Sequence, residues 1–298
     1  MKPVKLGQNF LVNKNIAKKI ALAFFPVDGC ILEIGPGTGI LTGFLVEYRT
    51  GENKIFAVEL DKELYTQIKT KYREKITVIN RSILDLNLEE TCGPGDINLT
   101  GNLPYYISRE IIDWVITQAE NTGKGIFMMQ KEFVDKLILS PAEPPQTISK
   151  KRMASAPYEG PGNRISNQSD RKNCSFSKLP GAITKKNNAQ SLIFNYLFEA
   201  RKLFDVSPGS FSPPPKVKST VFLFEKKKYP ASEKIDSASF YLFLKNCFKN
   251  RRKTLFNNLT AAYPPGQINE IFEKTGLDAR LRTGQLTLPD FVEIFRLL

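Results

Sequence analysis

Short apolar segments alternate with amphipathic ones through the first half of the chain. Of all the features of the sequence, this alternation most restricts the folds that the chain can adopt. Apolar runs at residues 31–34, 55–58 and 76–80 have the length and composition of buried strands. Segments of helical period separate them, one beginning at Ile40 and one covering residues 62–72. Such alternation predicts a parallel sheet with helices on its faces and right-handed crossovers.

The alternation continues to about residue 130. An apolar run leads to a strand end at Asn102, and a helix over residues 108–117 and a strand over 125–129 follow. Later strands at 202–206 and 220–224 are joined by a Pro-rich loop, as expected for an antiparallel addition at one edge. The predicted fold is α/β, with a mostly parallel sheet and one antiparallel edge strand.

A glycine-rich turn follows the first of these strands. Gly35-Pro36-Gly37-Thr38-Gly39 leads into a helix, where backbone can approach a ligand closely. Glu59 ends the next strand, near the spacing at which a carboxylate binds the hydroxyls of a ribose. The Gly-x-Gly-x-Gly spacing lacks the Gly-x-Gly-x-x-Gly of dinucleotide enzymes. It favours a nucleoside cofactor without a pyrophosphate over NAD, although Glu59 is also compatible with an ordinary strand end.

The tetrapeptide Asn102-Leu103-Pro104-Tyr105 lies where a parallel strand reaches its carboxyl edge, the edge at which open α/β sheets bind ligands. An Asn amide oxygen and the Pro104 carbonyl can together accept both hydrogens of an exocyclic amino group. Tyr105 or Tyr106 offers a face on which a purine taken out of its stack can lie. An ordinary turn is the alternative, since Asn and Pro are common turn residues.

Composition excludes several classes of chemistry. The chain has no His, which removes the usual general base, the common hydrolase triads and most zinc sites. Its four Cys are scattered without metal-ligand or disulfide spacing, and no apolar run reaches the length of a membrane span. We therefore predict no metal, no membrane association and a reducing cytoplasmic location. The net charge of +13 indicates a polyanionic partner, with nucleic acid favoured.

Two changes of composition divide the chain. Residues 140–190 are rich in Pro, Ser, Asn and Lys, and are predicted to be a disordered basic insertion within a catalytic domain of residues 1–228. Residues 229–298 are predicted to form a small all-α domain. There, Arg251, Arg252 and Lys253 are equally compatible with phosphate contacts and with a solvated helix end.

With these segments placed, the chain resembles the small-subunit (16S-type) ribosomal RNA adenine N6,N6-dimethyltransferases, a branch of the class I methyltransferases with a Rossmann-like sheet. The motifs that carry the resemblance run in the family's order over nearly the whole chain outside the insertion. They are Gly7-Gln8-Asn9-Phe10-Leu11, Glu33-Ile34-Gly35-Pro36-Gly37-Thr38-Gly39, Glu59-Leu60-Asp61, Gly101-Asn102-Leu103-Pro104-Tyr105, Gln130-Lys131-Glu132, residues 211–216 and Asn250-Arg251-Arg252-Lys253-Thr254.

The resemblance implies S-adenosyl-L-methionine (SAM) as cofactor. Gly35 and Gly37 are expected to line its methionine, Glu59 to hold its ribose hydroxyls, and Asn9 and Leu11 to close over it. The implied partner is small-subunit rRNA in a pre-30S particle, the implied process is ribosome biogenesis, and the protein is expected to be a monomer.

The resemblance also implies how the target base is held. Asn102, which is expected to border the cofactor as well, and the Pro104 carbonyl orient the adenine amino group. Tyr105 and Phe211 are expected to sandwich the flipped base. The implied reaction is dimethylation of N6 on two adjacent adenosines in a hairpin near the 3′ end of the rRNA.

Three departures from the family pattern affect these expectations. The position of the family's adenine-binding Asp is Ser82, so either the Ser82 hydroxyl or Asp85 is expected to make that contact. Tyr106 stands where relatives often carry Asn. Residues 189–192, Ala-Gln-Ser-Leu, replace the expected Gly-Arg-Leu-Ser.

Other readings remain open from the sequence. A macrolide-resistance-type methyltransferase acting on large-subunit rRNA is the nearest, and Leu103 together with the stretch from Asn250 disfavours it. Another is a SAM-binding ribosome assembly factor without essential catalysis, which Ser82 favours and the intact tetrapeptide at Asn102 disfavours. A dinucleotide oxidoreductase is disfavoured by the glycine spacing.

Overall fold

The computed structural model describes residues 8–51, 53–139, 187–230 and 234–298. The described residues form two compact units, one from those within 8–138 and 197–228 and the other from residue 139 and those within 187–196 and 229–298. The sequence analysis assigned residues 1–228 to one domain, whereas the helix at residues 189–197 lies almost wholly in the second unit.

The strands are numbered in chain order. They are β1 Phe10–Leu11, β2 Cys30–Ile34, β3 Ile55–Val58, β4 Thr77–Ile79, β5 Ile97–Asn102, β6 Thr122–Gln130, β7 Phe198–Val206, β8 Phe211–Ser212 and β9 Ser219–Lys226.

The helices are numbered in the same way. They are α1 Lys14–Phe24, α2 Ile40–Tyr48, α3 Lys62–Tyr72, α4 Leu88–Cys92, α5 Ser108–Thr117, α6 Lys131–Leu137, α7 Ala189–Leu197, α8 Ser237–Cys247, α9 Leu255–Leu259, α10 Pro265–Thr275 and α11 Leu288–Leu297.

The first unit is built on a seven-stranded sheet of order β4-β3-β2-β5-β6-β9-β7. Strands β2 to β6 pair in parallel, and β9 is antiparallel to both of its neighbours, β6 and β7. The predicted mostly parallel sheet with an antiparallel addition at one edge is confirmed. The antiparallel strand itself lies one position in, and β7 occupies the edge.

Helix starts in the first unit follow the local sequence. Asn13 caps α1 by accepting hydrogen bonds from the amides of Asn15 and Ile16, and Asp61 caps α3 in the same way. The apolar faces of α1 and α2 pack with one face of the sheet into a core that includes Ile20 and Leu45. Because these caps and faces fix the helices against the sheet, the loops at its carboxyl edge keep defined positions.

A second, two-stranded sheet joins distant parts of the first unit. β1 pairs antiparallel with β8, placing Phe10 opposite Ser212 and Leu11 opposite Phe211. The Pro-rich loop predicted between the later strands therefore contains strand β8, and the prediction is wrong for Phe211 and Ser212. A two-residue strand carries too little periodicity to be recognised, and long-range pairing is what makes this one.

The second unit is helical and has an aromatic core. Tyr196 stacks on Tyr229 with ring centroids 5.0 Å apart and meets Phe240 edge-on at 5.2 Å. Phe243 and Phe291 continue the cluster, and all of these rings except that of Tyr229 are almost fully buried. The predicted helical character of the C-terminal region is confirmed by α8 to α11.

Of the predicted insertion, residues 140–186 lie outside the described residues, as does Gly7 of the first motif. Residues Ala189 and Gln190 already belong to α7, so the helix begins before the predicted end of the insertion. In the part of the chain that the structure describes, no helix is long and apolar enough to cross a membrane.

Candidate functional site

A cavity at the carboxyl edge of the sheet gathers most of the residues that the sequence singles out. It is lined by the glycine-rich turn after β2, the end of β3, the end of β5 and the segment around β1. The predicted residues on its wall are Asn9, Leu11, Gly35, Gly37, Glu59, Asn102, Pro104 and Tyr105. Parallel strands bring their carboxyl ends to one edge, which is why residues so far apart in sequence meet here.

The glycine turn is shaped for close approach. Gly37 has a φ of +56°, and a Cβ on it would lie 3.0 Å from Cδ1 of Phe10, so the β1 segment lies directly over the turn. A Cβ on Gly35 would meet nothing within 4 Å, so the backbone there faces open space. The turn therefore presents bare backbone to the cavity while β1 covers one side of it.

Glu59 is held at the end of β3 by backbone amides. Its Oε2 accepts from the amide of Gly37 at 3.2 Å and its Oε1 from the amide of Asp61 at 3.0 Å. Asn80 donates to the Glu59 carbonyl at 2.8 Å, which fixes the backbone beneath it. Burial raises the pKa of Glu59, and the hydrogen bonds from Asp61 and Gly37 oppose that rise.

Glu33 also lines this cavity, and the sequence analysis gave it no role of its own. It is 1% exposed, and its Oε2 has no hydrogen-bond partner among the described residues. Burial raises the pKa of Glu33 to about 7, the polar groups of nearby Thr42 oppose that rise, and the charge of Glu59 adds to it. A charged residue inside an otherwise apolar strand is the sequence signal that could have identified it.

The Asn102 side chain is oriented by the N-terminal segment. Its Nδ2 donates to the backbone carbonyl of Asn9 at 3.0 Å. This bond fixes the amide group, so its acceptor atom, Oδ1, has a set direction. Gly101 allows the close strand packing just before it, since a Cβ there would lie 2.5 Å from the carbonyl oxygen of Ile34. The end of β5 therefore supports an Asn of fixed amide orientation.

Pro104 and Tyr105 continue from Asn102 along the cavity wall. The Pro104 carbonyl accepts from the Ser108 hydroxyl at 3.1 Å, and a carbonyl oxygen has a second lone pair for another donor. The Tyr105 hydroxyl lies 2.6 Å from the hydroxyl of Ser219 on β9. Two acceptor groups and an aromatic ring thus border one cavity.

Two predicted site residues, Ser82 and Phe211, lie off the cavity wall. Ser82 accepts a hydrogen bond from the amide of Leu84 at the start of a short 3-10 turn, and neither it nor Asp85 lines the cavity. Phe211 is 4% exposed and lies in the hydrophobic core of the first unit, opposite Leu11 in the β1–β8 pair. The exposed ring beyond Tyr105 is Tyr106, whose pKa is raised by burial and by the charge of Glu59.

The donor set at the cavity fits a nucleoside with a zwitterionic amino-acid tail. Glu59 offers carboxylate oxygens, bare backbone at Gly35 offers space, and the unpartnered Oε2 of Glu33 is suited to an ammonium. Among the residues described, no group of three or more His, Cys, Asp or Glu is placed to hold a metal ion. The carboxylates and the open backbone therefore fit the ribose and the methionine tail of SAM.

The basic cluster of the second unit is divided in its contacts. Arg251, Arg252 and Lys253 are all exposed. Arg251 also lies over the ring of Phe248 at 5.5 Å and donates to the Asn187 carbonyl. One of the three exposed cations is thus engaged within its own unit.

Comparison with known proteins identifies the family. The family model for ribosomal RNA adenine dimethylase matches residues 2–147 and 176–298. The chain belongs to this family. Residues 148–175 have no counterpart in the family model, and they lie within the stretch predicted to be an insertion.

Individual relatives agree with the family match. The ribosomal RNA small subunit methyltransferase A of Malacoplasma penetrans is 34% identical over 91% of this chain and 82% of its own length. A dimethyladenosine transferase from Plasmodium falciparum has a TM-score of 0.67 at 20% identity, covering 96% of this chain and 95% of its own. The 23S rRNA methyltransferase ErmE has a TM-score of 0.61 at 18% identity, covering 97% and 99%.

Family membership confirms several expectations from the sequence. The chain is a SAM-dependent rRNA adenine dimethyltransferase, as its motifs implied. The two solved structures confirm the class I methyltransferase fold, and at their level of identity they bear on the fold alone.

Proposed function

We propose that this chain transfers methyl groups from SAM to N6 of two adjacent adenosines near the 3′ end of small-subunit rRNA, in a pre-30S particle during ribosome biogenesis. The carrying observation is the pair of acceptors at the end of β5. Asn102, with its Nδ2 engaged by the Asn9 carbonyl, presents Oδ1, and the Pro104 carbonyl follows two residues later beside the cavity that Glu59 borders.

The acceptor pair addresses the main chemical difficulty of the reaction. The amino nitrogen of adenine is a poor nucleophile because its lone pair is delocalised into the ring. When Asn102 Oδ1 and the Pro104 carbonyl accept hydrogen bonds from both N–H groups of the adenine, they favour a tetrahedral nitrogen. Its lone pair then points outward. This stabilisation grows toward the transition state, and proximity supplies much of the remaining acceleration.

The same cavity supports an assignment of the cofactor residues. SAM would supply the methyl group from its sulfonium, whose sulfur becomes a neutral thioether as the new N–C bond forms, and the methylated amino group would release one proton to solvent. Glu59 would accept hydrogen bonds from the ribose hydroxyls, the open backbone at Gly35 would accommodate the methionine, and Glu33 would pair with its ammonium. Asn9 and Leu11 would close one side, and Asn102, which borders the same cavity, would separate cofactor and target.

The target base stacks on Tyr105 in this proposal. Phe211 reaches the opposite face of the base only if the β1–β8 pair moves, because its side chain is buried in the core. We assign the adenine of SAM to Ser82 or Asp85, because position 82 is where the family pattern has its adenine-binding Asp, and both residues lie off the cavity wall. The chain acts as a monomer in the cytoplasm, where its ribosomal substrate is assembled, and the domain of residues 229–298 contacts the rRNA.

Transfer of labelled methyl groups tests this function. Small ribosomal subunits from a strain lacking the modification are incubated with the protein and labelled SAM, with large subunits and naked rRNA in parallel. Label recovered as dimethyladenosine in small-subunit rRNA is the expected result. Label in large-subunit rRNA alone would reassign the substrate, and SAM binding without transfer would indicate an assembly factor.

A further inference from the structure

A single hydrogen bond ties the proposed stacking ring to a distant strand. The hydroxyls of Tyr105 and Ser219 lie 2.6 Å apart, although 114 residues separate them in sequence. Ser219 is the first residue of β9 and is fully buried, with Gln130 of β6 on one side and Val206 of β7 on the other. Within the described residues, neither hydroxyl makes another hydrogen bond.

The other end of the Tyr105 residue is also fixed. Pro104 has a φ of −60°, and its carbonyl is held by the Ser108 hydroxyl, so the peptide entering Tyr105 has a set orientation. The amide of Lys131 donates to the carbonyl of Lys218, which secures the strand start that carries Ser219. The ring of Tyr105 is therefore attached at its backbone and at its hydroxyl, which leaves it little rotation about χ1 and χ2.

An aromatic face for stacking does not require a hydroxyl, since Phe supplies the same face. The hydroxyl of Tyr105 has a different consequence here, because it fixes the plane of the ring relative to the Pro104 carbonyl and Asn102. Correct alignment of the target amino group with its acceptors requires a ring that does not tilt.

We propose that Ser219 is a positioning residue for methyl transfer: its hydroxyl holds the Tyr105 ring in the plane on which the target adenine stacks. This inference rests on the proposed function for the role of Tyr105. It assigns to β9, which does not line the cavity, a part in aligning the target base.

Three variants test the proposal: Ser219→Ala, Tyr105→Phe and the double variant. The expected loss in kcat is about three- to tenfold for each single variant, the range that one neutral hydrogen bond supports. The double variant is expected to lose no more than either single one, because both substitutions remove the same bond. The Kd for SAM is expected to stay unchanged, since neither hydroxyl contacts the cofactor residues.

Thr122→Val is the matched control. It also removes a fully buried hydroxyl from the first residue of a strand of this sheet, where Oγ1 donates to the Gln118 carbonyl at 2.9 Å. Thr122 lies at the opposite end of the sheet from the cavity, so kcat is expected to be unchanged. Tyr105→Phe removes the same hydrogen bond without altering β9. It therefore tests whether the bond matters for kcat even if Ser219→Ala folds poorly.

Losses that multiply in the double variant, or wild-type kcat in either Ser219→Ala or Tyr105→Phe, would overturn the proposal. Failure of the proposed function is a separate result, because it is read from which RNA the wild-type protein methylates. If the wild-type protein methylates neither subunit, the same cycle is run on thermal unfolding. Additive destabilisation by the two substitutions would then refute the coupling of the hydroxyls.

Discussion

Replacing Glu33 by Gln should remove a pH dependence from the stability of the first unit. The wild-type carboxyl is buried beside the cavity, and its pKa is raised from 4.5 to about 7 by burial. Folded protein therefore binds this proton more tightly than unfolded protein does. By linkage, the contribution of Glu33 to stability is greatest below about pH 4.5 and is lost as the pH rises to about 7.

The size of this effect follows from the shift. At 1.36 kcal/mol for each pH unit, a rise from 4.5 to about 7 corresponds to about 3 kcal/mol. Gln has nearly the same shape and does not ionise. The free energy of unfolding of the wild-type protein, relative to Glu33→Gln, should therefore fall by about 3 kcal/mol between pH 4.5 and 8.

Trp114 provides the assay. It is the one Trp of the chain, it is 6% exposed in α5, and its Nε1 donates to the Leu86 carbonyl at 2.8 Å. Urea unfolding followed by its fluorescence reports the first unit, whatever the second unit does. Glu89→Gln, which replaces an exposed carboxyl of the same unit, is the matched control.

Parallel stability curves for wild type and Glu33→Gln across this pH range would refute the reasoning. SAM supplies an independent check, because an ammonium beside Glu33 favours the carboxylate. Wild-type protein should bind SAM more tightly at pH 8 than at pH 5.5, and the variant should show a smaller change over the same range.

Further substitutions separate the roles at the site. Asn102→Ala should lower kcat by about a hundredfold or more, because it removes a preorganised contact to the transition state. Its SAM affinity, measured by calorimetry, should stay within about threefold of wild type. Equal losses of kcat and SAM affinity would show that the role of Asn102 is misassigned. Glu59→Gln should weaken SAM binding at least about tenfold in the same assay, because an amide cannot replace both carboxylate acceptors. Ser82→Asp should tighten SAM binding about fivefold, the gain of a charged over a neutral acceptor, if this position faces the cofactor adenine; an unchanged Kd would favour Asp85. Deleting residues 148–175, which the family model does not match, should leave methyl transfer to small subunits within about twofold of wild type.

The sequence predicted the sheet because its strands are apolar runs separated by helical segments, a pattern that survives without knowledge of the tertiary structure. It also predicted the cavity residues at strand ends, since parallel topology brings such ends together. The order of the strands in the sheet and the residues at which they begin and end were harder to predict from the sequence. β7 extends four residues further toward the N-terminus than predicted, beginning at Phe198, directly where α7 ends.

What the sequence could not predict depends on distant contacts. The pairing of β1 with β8 joins segments about 200 residues apart, and two-residue strands have no period of their own. The unpartnered oxygen of Glu33 and the burial of Phe211 likewise depend on what surrounds each side chain.

The β1–β8 pair makes one small ribbon common to both proposed binding events. β1 lies over Gly37, and Asn9, the residue just before it, supplies the carbonyl that orients Asn102. β8 carries Phe211 opposite Leu11. Binding free energies are reciprocal, so any effect of bound RNA on SAM affinity that passes through this ribbon is expected to equal the effect of bound SAM on RNA affinity. The four residues of the ribbon are therefore where we expect such an effect to arise.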